Sequence, residues 1–417
     1  MYRAPRGTSD ILPADQKYWH YVEAKAKSAA QHFGYSRLET PIFENTRFFT
    51  RGVGQGTDIV EKEMYSFQDR GGDSMTLRPE GTAPACRAYL EHGMHNLPQP
   101  VRLFYFSPAF RYERPQAGRY RQHHQFGIEA LGDSDPSIDS EVIELAWRLL
   151  ENLGIKSPTL MINSIGDANC RPLYLESLKN YYSPLLPNLC QDCKQRYENN
   201  PLRLLDCKKD SCLNFKQNAP RTVDQLCNDC EKHWQSVLTY LETIDVPYLI
   251  NHELVRGLDY YTRTVFEIHP EKEGSQSALL AGGRYDGLIQ ELDGPPTPGI
   301  GFAAGMERLV LSIKRQNTEV AEEKPVKVAI VHIGETVTQT AIRIASQIRQ
   351  SGVPAVLVPA GRSMRSQLRY VNSLGIPYAV IIGQDELDKG SAIVRDMANA
   401  EQRDILIEEV ANHIATY

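Results

Sequence analysis

The sequence predicts an α+β protein in which an antiparallel sheet flanked by helices precedes a smaller α/β domain. Short runs typical of strands follow one another early in the chain, and Gly- and Pro-rich turns join them. A parallel sheet would instead need helices of crossover length between its strands. The polar, charged stretch at 315–325 has the composition of a linker. Beyond it, three continuous apolar runs indicate strands that are buried on both faces.

The first element predicted is an amphipathic helix over 14–33, which Gly34 ends. Its apolar residues recur at three- and four-residue steps: Trp19, Val22, Ala26, Ala29 and Phe33. A second helix runs from Pro136 to about Leu153, with Asp135 as its N-cap. The predicted strands are 36–43, 63–68, 75–78, 101–112 and 122–131.

Composition divides the rest of the chain. Residues 170–250 are rich in cysteine, polar and helical in pattern, which indicates an inserted subdomain with little apolar core. The strand and turn pattern resumes at 254–310, so we predict a first domain at 1–320 that contains the insertion.

The second predicted domain spans 326–417. Its apolar runs are 326–333, 354–359 and 377–383. They are separated by helical stretches, one of which ends at Gly352. This alternation favours a mostly parallel sheet.

Size and charge exclude some classes of protein. The 417 residues exceed one compact core. No run of about 20 apolar residues predicts a membrane span, and the N-terminus lacks an apolar signal core, so we expect a cytoplasmic protein. The net charge of -6 argues weakly against a nucleic-acid partner, although the arginines are clustered.

Six of the eight cysteines lie between Cys190 and Cys230. In a cytosolic protein such clustering indicates metal binding or reduced thiols before disulfides. Two Cys-x-x-Cys pairs can form one tetrahedral zinc site. The predicted structural zinc site therefore consists of Cys190, Cys193, Cys227 and Cys230. The middle cysteines, Cys207 and Cys212, could replace either pair, and uncoordinated thiols are an equally good interpretation.

An arginine-rich loop lies between two apolar strands at 110–132. It carries Arg111, Arg114, Arg119 and Arg121 around a Pro-Gln-Ala-Gly turn. Guanidinium groups pair with phosphate oxygens through parallel hydrogen bonds, so the loop suits a polyphosphate or a nucleic-acid backbone. A solvated hairpin loop is the simpler alternative for a generic sequence.

Phe110, Arg111 and Glu113 make this loop specific, because Phe-Arg-x-Glu resembles the second signature motif of class II aminoacyl-tRNA synthetases. The resemblance implies that Arg111 holds the α-phosphate of ATP and the amino-acid carboxylate. It implies that Glu113 reads the adenine amino group and that Arg119 or Arg121 reaches the outer phosphates.

Three further loop and strand residues gain implied roles from the same resemblance. Arg114 and Gln116 would face the end of the tRNA acceptor stem. His123 stands near the adenine, where members of the family often have Phe, and its ring can still stack.

The run Thr-Leu-Arg-Pro-Glu-Gly-Thr at 76–82 ends a strand and opens a helix. Glu80 and Thr82 can simply cap that helix, since a carboxylate is favoured at a helix N-terminus. The same run appears in histidyl-tRNA synthetases, and this resemblance implies that Glu80 and Thr82, with Gln125, grip the α-ammonium group of histidine.

Residues 254–267, LVRGLDYYTRTVFE, match a motif peculiar to histidyl-tRNA synthetases over nearly its whole length. The resemblance places Glu129 and Tyr261 at the imidazole and Arg256 at the α-phosphate, where it stabilises developing charge. A neutral imidazole has one donor and one acceptor, which a carboxylate and a phenol complement. Such a site rejects substrates without that pattern by about 10⁴–10⁵.

The glycine-rich segments 281–288 and 298–309 resemble the third class II motif. Glycine permits close approach of the backbone to a ligand. The resemblance implies that Arg308 binds ATP at the adenine and the γ-phosphate, and that Tyr285 lines the histidine pocket.

Residues 361–390 resemble the anticodon-binding domain shared by several class II synthetases. Arg362, Arg365 and Arg369 then form a phosphate-binding face for tRNA. Without the resemblance, a solvated helix face is the favoured explanation for these arginines.

The resemblance covers essentially the whole chain and implies a histidine–tRNA ligase that uses L-histidine, ATP with Mg²⁺ and tRNA(His). Residues 34–43 resemble the first class II motif, which builds a homodimer interface. Two inactive relatives are the alternatives: a histidine-sensing regulatory subunit of ATP phosphoribosyltransferase, which lacks the anticodon domain, and a sensor of uncharged tRNA. Arg111, Arg256 and Arg308 argue against both.

Overall fold

The computed structural model of the chain describes residues 2–54, 57, 59–271, 278–321 and 326–416, without the side chain of Val53. The chain forms two compact units, Met1–Val320 and Ala321–Tyr417. Residues 322–325 of the predicted linker lie outside the described residues.

The first unit combines ten labelled α-helices with eleven strands in its described part. The helices are α1 (Pro13–His32), α2 (Thr46–Val53), α3 (Thr82–Glu91), α4 (Pro136–Asn152), α5 (Arg171–Tyr182), α6 (Gln191–Asn199), α7 (Asp210–Lys216), α8 (Asn228–Thr243), α9 (Leu288–Glu291) and α10 (Met306–Arg315). The strands are β1 (Ser36–Arg37), β2 (Phe43–Asn45), β3 (Tyr65–Gln68), β4 (Ser74–Leu77), β5 (Val101–Phe110), β6 (Gln122–Leu131), β7 (Thr159–Ser164), β8 (Tyr248–Ile250), β9 (Thr262–His269), β10 (Leu280–Arg284) and β11 (Gly299–Gly305).

The large sheet has the strand order β1-β5-β6-β11-β10-β9-β7-β8. Its neighbours are antiparallel except at the two edges, where β1 pairs with β5 and β7 with β8 in parallel. The predicted antiparallel sheet flanked by helices is therefore confirmed.

The prediction of a single strand over 36–43 is wrong. These residues divide between β1, in the large sheet, and β2, in a three-stranded sheet of order β2-β4-β3. Pro41 between them cannot donate to a strand ladder. The guanidinium of Arg78 instead donates to the carbonyls of Thr40, at 2.9 Å, and Pro41, at 3.2 Å.

Helices α1 and α4 confirm the two helix predictions. The Asp135 side chain accepts a hydrogen bond from the Ser137 amide at 2.8 Å, which makes it the N-cap of α4. Both helices pack with α8 and α10 into a core that includes alternate residues of the central strands. On β6 these are Phe126, Ile128 and Ala130. The intervening residues of β6 face the opposite side of the sheet, because side chains alternate along a strand.

The segment 170–250 contains more apolar core than the sequence predicts. Helix α8 contributes Trp234, Val237 and Leu241 to the main core. Helix α5 contributes Tyr174 and Leu178 to a second cluster that also contains Tyr260 and Tyr261. The prediction of an insertion with little apolar core is therefore wrong, because one face of helices α5 and α8 is buried against the rest of the first unit.

The second unit contains α11 (Glu335–Gln350), α12 (Met364–Ser373), α13 (Gln384–Asp388), α14 (Val410–Ala415), β12 (Val328–His332), β13 (Ala355–Leu357), β14 (Tyr378–Ile382), β15 (Ser391–Asp396) and β16 (Gln402–Leu406). Its sheet order is β13-β12-β14-β15-β16. The first three strands are parallel, as predicted, but β15 and β16 add an antiparallel hairpin. The sequence analysis missed this hairpin because β16 is mostly exposed and has no continuous apolar run.

None of the helices in the described ranges is both long and apolar enough to cross a membrane.

A fully buried ion pair joins three elements of the first unit. Arg284, at the end of β10, and Asp139, on α4, are each 0% exposed. The guanidinium Nε lies 3.0 Å from Asp139 Oδ2, and Nε2 of His233 on α8 lies 3.0 Å from Asp139 Oδ1. Burial alone raises the pKa of Asp139, but Arg284 and His233 outweigh it and lower the pKa to about 2.

Replacing Asp139 by Ala should destabilise the first unit strongly, because it removes the fully buried counterion of Arg284 and leaves only the partly exposed Asp286, at 3.1 Å. Loss of one partner of a buried pair costs about 3–5 kcal/mol. Guanidinium denaturation measures this change. The control is Asp293→Asn, which removes the charge of an exposed partner of Arg51, keeps a side chain that tolerates the positive φ of this position, and should barely move the midpoint. Equal midpoints for the two variants would contradict the assignment.

Candidate active site

A solvent-open cavity lies on the face of the large sheet opposite the helical core. Strands β6, β10 and β11 contribute to it, together with the loop after β5, the loop before β9 and the starts of α3 and α10. The polar residues that line it are Glu80, Thr82, Arg111, Glu113, Arg119, Tyr120, His123, Gln125, Arg256, Tyr260, Tyr261, Glu307 and Arg308.

Four arginines line this one cavity: Arg111, Arg119, Arg256 and Arg308. Arg111 is held by a hydrogen bond from its Nε to the Pro79 carbonyl at 2.8 Å, and Arg308 by one from its Nε to the Gly118 carbonyl at 2.9 Å. Glu113 lies between Arg111, at 3.9 Å, and Arg119, at 3.6 Å. The structure thus brings the predicted phosphate-binding arginines together, and their charges suit a polyphosphate.

Of the two arginines predicted to reach the outer phosphates, Arg119 lines the cavity and Arg121 does not. Its guanidinium lies 3.8 Å from the centre of the Tyr112 ring. Its backbone amide donates to the Gly7 carbonyl at 2.7 Å, and its side chain packs so closely over Gly7 that a Cβ there would lie 2.7 Å from Arg121 Cγ. The N-terminal segment therefore holds Arg121 away from the cavity.

Arg114 and Gln116 lie at the exposed tip of the same loop. Gln116 and Arg119 exchange two backbone hydrogen bonds, of 3.2 and 2.9 Å, across a tight turn that contains Gly118 at φ +73°. The tip faces solvent, whereas Arg119 at its base lines the cavity.

His123 lines the cavity close to Arg111 and Arg308. Burial, followed by the charges of Arg111 and Arg308, lowers the pKa of His123 to about 3. The imidazole is therefore neutral near pH 7, and a neutral ring is suited to stacking on another planar group.

Glu80 caps α3, as the simpler interpretation of its position predicts. Its carboxylate accepts hydrogen bonds from the amides of Thr82, at 2.6 Å, and Ala83, at 2.9 Å. Burial raises the pKa of Glu80, although these two amides and nearby Arg111 oppose the effect. Because Glu80 and Thr82 also line the cavity, capping and ligand contact are compatible.

Two buried polar atoms at the cavity lack partners among the described residues: Gln125 Oε1 and Arg256 Nε. Buried acceptors and donors are normally hydrogen-bonded, so such atoms mark where a ligand can complete the set. The rest of the Arg256 guanidinium donates to Glu267 and lies 5.7 Å from the centre of the Tyr261 ring.

Glu129 and Tyr285, both predicted to contact the histidine ring, lie beneath the cavity and do not line it. Both oxygens of Glu129 are hydrogen-bonded, one to the Tyr105 hydroxyl at 2.9 Å and the other to the Tyr285 hydroxyl. Burial raises the pKa of Glu129 to about 8, although these hydrogen bonds oppose the shift. The Glu129 carboxyl therefore supports the floor of the cavity from below and does not itself reach the cavity.

Several residues that shape the site were missed by the sequence analysis. Glu267 holds Arg256, and Glu307 accepts from the amide and the Nδ1 of His124, at 3.0 and 2.9 Å. Glu267 could have been noticed, because it is charged and stands in an apolar strand just after Arg256. Nothing in the sequence around Tyr105 distinguishes it from an ordinary core aromatic.

The predicted cysteine set is wrong, because its two pairs belong to different groups. Cys190 and Cys193 lie with Cys207 and Cys212, whereas Cys227 and Cys230 lie with Asp167 and Cys170. All eight cysteines are free thiols. The physical reason is that Cys227 and Cys230 begin α8, which packs into the main core, while Cys190 and Cys193 begin α6.

In the second unit, Arg362, Arg365 and Arg369 are exposed at the start of α12. Ser363 caps this helix by accepting from the Ser366 amide at 3.4 Å. Arg365 and Arg369 lie one turn apart and so share a helix face.

Comparisons with known proteins agree across the whole chain. A family model described as Histidyl-tRNA synthetase matches residues 7–168 and 189–309, and an Anticodon binding domain model matches 327–417. A Histidine--tRNA ligase of Dehalococcoides mccartyi is 52% identical over 98% of each chain, and one of Desulforamulus reducens is 48% identical over 97% of each. The apo crystal structure of Staphylococcus aureus histidyl-tRNA synthetase has 36% identity and a TM-score of 0.83, with full coverage of both chains.

Glu129 should make stability depend on pH, because the folded chain keeps a proton that the unfolded chain releases. The free energy of unfolding should fall as the pH rises from the ordinary pKa of a glutamate, 4.5, to the raised pKa of Glu129, about 8. Each pKa unit is worth about 1.4 kcal/mol. Denaturation at about pH 5 and about pH 8 should show that Glu129→Gln loses less stability over this interval than the wild type, by more than about 1 kcal/mol.

The matched control is Glu23→Gln, on the exposed face of α1, which should follow the wild type. Parallel pH profiles for the wild type and Glu129→Gln would show that Glu129 is not held protonated.

Proposed function

The chain belongs to the histidyl-tRNA synthetase family, and we infer that it is a histidine–tRNA ligase that activates L-histidine with ATP and transfers it to tRNA(His). The match of the second unit to an anticodon-binding domain favours this function over the regulatory subunit that lacks such a domain. The observation that supports the proposed chemistry is that four arginines line one cavity, in which Gln125 Oε1 and Arg256 Nε are buried without hydrogen-bond partners among the described residues.

In the first step, a carboxylate oxygen of histidine attacks the α-phosphorus of ATP, and pyrophosphate leaves. We propose that Arg111 holds the reacting carboxylate and α-phosphate and that Arg256 stabilises the negative charge that develops there. Burial raises the pKa of Glu267, but Arg256 outweighs it, so this carboxylate stays ionised and fixes the Arg256 guanidinium. Mg²⁺ accompanies ATP as part of the substrate.

ATP recognition is proposed to involve the outer part of the cavity. Glu113 accepts from the adenine amino group, and the neutral His123 ring stacks on the base. Arg119 and Arg308 bind the outer phosphates, since both lie in the cavity with Arg111. Arg121 has no place in this scheme because it faces Tyr112.

Histidine recognition is proposed to involve the inner part. Glu80, Thr82 and Gln125 bind the α-ammonium group, for which Gln125 Oε1 is an unpaired buried acceptor. Tyr261 contacts the imidazole. Glu129 and Tyr285 act from beneath, by fixing the floor on which the ring lies.

In the second step, a ribose hydroxyl of the terminal tRNA adenosine attacks the histidyl carbonyl carbon, and AMP leaves. We propose that Arg114 and Gln116, at the exposed tip of the loop, contact the acceptor stem. Arg362, Arg365 and Arg369 contact phosphates of the anticodon arm, since each is exposed and carries a positive charge.

A homodimer is proposed on the basis of apolar residues exposed beside the segment that resembles the first class II motif. Ile42 is 44% exposed, Phe43 46% and Phe67 45%. The two phenylalanine rings lie 6.4 Å apart, so they form one patch that a second copy can cover. We also propose that the enzyme acts in the cytoplasm, where its free thiols stay reduced.

We propose a structural zinc ion at the group formed by Cys190, Cys193, Cys207 and Cys212. Cys190 Sγ lies 3.9 Å from Cys207 Sγ, close to the roughly 3.8 Å between sulfurs around a zinc ion with Zn–S bonds of about 2.3 Å. Zinc there would crosslink α6, α7 and the turn between them.

Histidine-dependent ATP–pyrophosphate exchange tests the adenylation step. The wild type should catalyse exchange with histidine and not with other amino acids, and Arg256→Ala should lose about 10²–10³-fold in rate, as expected for removing a group that stabilises transition-state charge. Arg148→Ala, a half-buried arginine on α4 away from the cavity, serves as the matched control and should retain exchange. No exchange in the folded wild type would overturn the enzymatic function.

The arginines of α12 should affect tRNA and not adenylation. The triple variant Arg362→Ala/Arg365→Ala/Arg369→Ala should leave pyrophosphate exchange unchanged in rate. Its KM for tRNA(His) in aminoacylation should rise on the order of tenfold, with a salt dependence shallower by about two in log–log slope. Arg343→Ala, exposed on α11, is the control. A triple variant with wild-type tRNA affinity and salt dependence would contradict this assignment.

A further inference from the structure

We propose that Asp167, Cys170, Cys227 and Cys230 form a second zinc site, separate from the all-cysteine group, and that zinc there positions Tyr261 of the histidine pocket. The part of the inference that concerns Tyr261 rests on the proposed function. The metal site itself does not.

The four ligand atoms have the spacing of a tetrahedral zinc site. All lie within 4.8 Å of one another. Asp167 Oδ1 lies 3.6 Å from Cys170 Sγ and 3.9 Å from Cys227 Sγ. A zinc ion bound by one carboxylate oxygen and three sulfurs has ligand–ligand distances of roughly 3.5–3.8 Å. Small side-chain movements therefore suffice to bind the ion.

The backbone is shaped around these ligands. Gly166 has φ +65°, and a Cβ at this position would lie 2.7 Å from Cys170 Sγ, so the loop requires glycine for the sulfur to fit. The Asp167 amide points at the same sulfur, at 3.4 Å. Amide hydrogen bonds to a ligating sulfur belong to the outer shell that orients metal ligands.

Two arginines provide charge that a site with three thiolates and a carboxylate needs, because zinc leaves it with excess negative charge. Arg263 Nη2 lies 3.4 Å from Asp167 Oδ2, whereas Oδ1 is the oxygen near Cys170 and Cys227. Arg171 follows Cys170 directly in the chain. The carboxylate is thus directed to the metal by one oxygen and to an arginine by the other, as outer-shell partners commonly arrange.

The same loop holds the backbone of the histidine pocket. Arg171 Nη2 donates to the Tyr261 carbonyl at 2.6 Å and to the Gly166 carbonyl at 3.0 Å. The Arg263 amide donates to the Gly166 carbonyl at 2.7 Å. Arg263 has φ +50°, a strained conformation for a residue with a side chain, which persists only where neighbours impose it. Zinc bound by Asp167 and Cys170 would fix the loop at Gly166, whose carbonyl accepts from Arg263.

Zinc content of the purified full-length protein tests the site. With zinc as the only added metal, elemental analysis should find two zinc ions per wild-type chain, and one after Cys227→Ser/Cys230→Ser. The matched double variant Cys207→Ser/Cys212→Ser should lose the zinc ion of the all-cysteine group and keep the one at Asp167. The two sites would then bind zinc independently. A wild type without zinc, or an unchanged zinc content in Cys227→Ser/Cys230→Ser, would overturn the proposal.

Pyrophosphate exchange tests the link to Tyr261. Loss of zinc in Cys227→Ser/Cys230→Ser should raise the KM for histidine on the order of tenfold, the effect of losing one hydrogen bond to a charged group, with little change in the KM for ATP. Cys227→His keeps a zinc donor at this position and should retain both the zinc ion and the histidine KM, whereas Cys227→Ser should lose both; a purely packing role for Cys227 predicts no advantage of His over Ser. Zinc loss with an unchanged histidine KM would overturn the link.

These outcomes are distinguishable from a failure of the proposed function. If the wild type shows no histidine-dependent exchange, the ligase assignment fails while the zinc counts still decide the metal site. Asp167→Asn provides a milder variant for the case in which the double serine variant does not fold, and it should also lose one zinc ion.

Discussion

The buried Arg284–Asp139 ion pair is the constraint on which the catalytic unit depends. Arg284 also donates to the carbonyls of Asp133, at 3.0 Å, and Asp135, at 3.4 Å, just before α4 begins. A charge buried without its partner costs several kcal/mol, so β10 and α4 have one relative position that satisfies both groups. Because His233 contacts the same carboxylate, this position also determines where α8 returns from the inserted segment.

That position sets the floor of the cavity, because Tyr285 follows Arg284. Its hydroxyl donates to Glu129, which also accepts from Tyr105. Glycines make room for these large side chains: Gly81 and Gly127 lie against the Tyr105 ring, Gly299 against Tyr285 and Gly301 against Glu129. A Cβ at any of the four would collide. The result is a polar floor with little freedom to move, which is how a site holds ligand groups in place before they react.

The inserted segment supports the site from the side. Asn200 donates to Asp259 at 2.5 Å, and Arg171 donates to the Tyr261 carbonyl, so residues of this segment hold the part of the loop that lies just before β9. The two cysteine groups lie at its beginning, middle and end. The order of the inserted segment and the order of the proposed histidine pocket are therefore physically connected, although none of the cysteines lines the cavity.

The sequence by itself determined the elements whose signals are local. Apolar periodicity predicted α1 and α4, and glycine- and arginine-rich motifs in order predicted which segments meet in one site. Tertiary structure decided what depends on direction and distance. It turned Arg121 toward Gly7, placed Glu129 beneath the cavity and divided the Cys-x-x-Cys pairs between two groups. A motif specifies residue types and spacing along the chain, but side-chain direction and proximity follow from packing between segments that are far apart in the sequence.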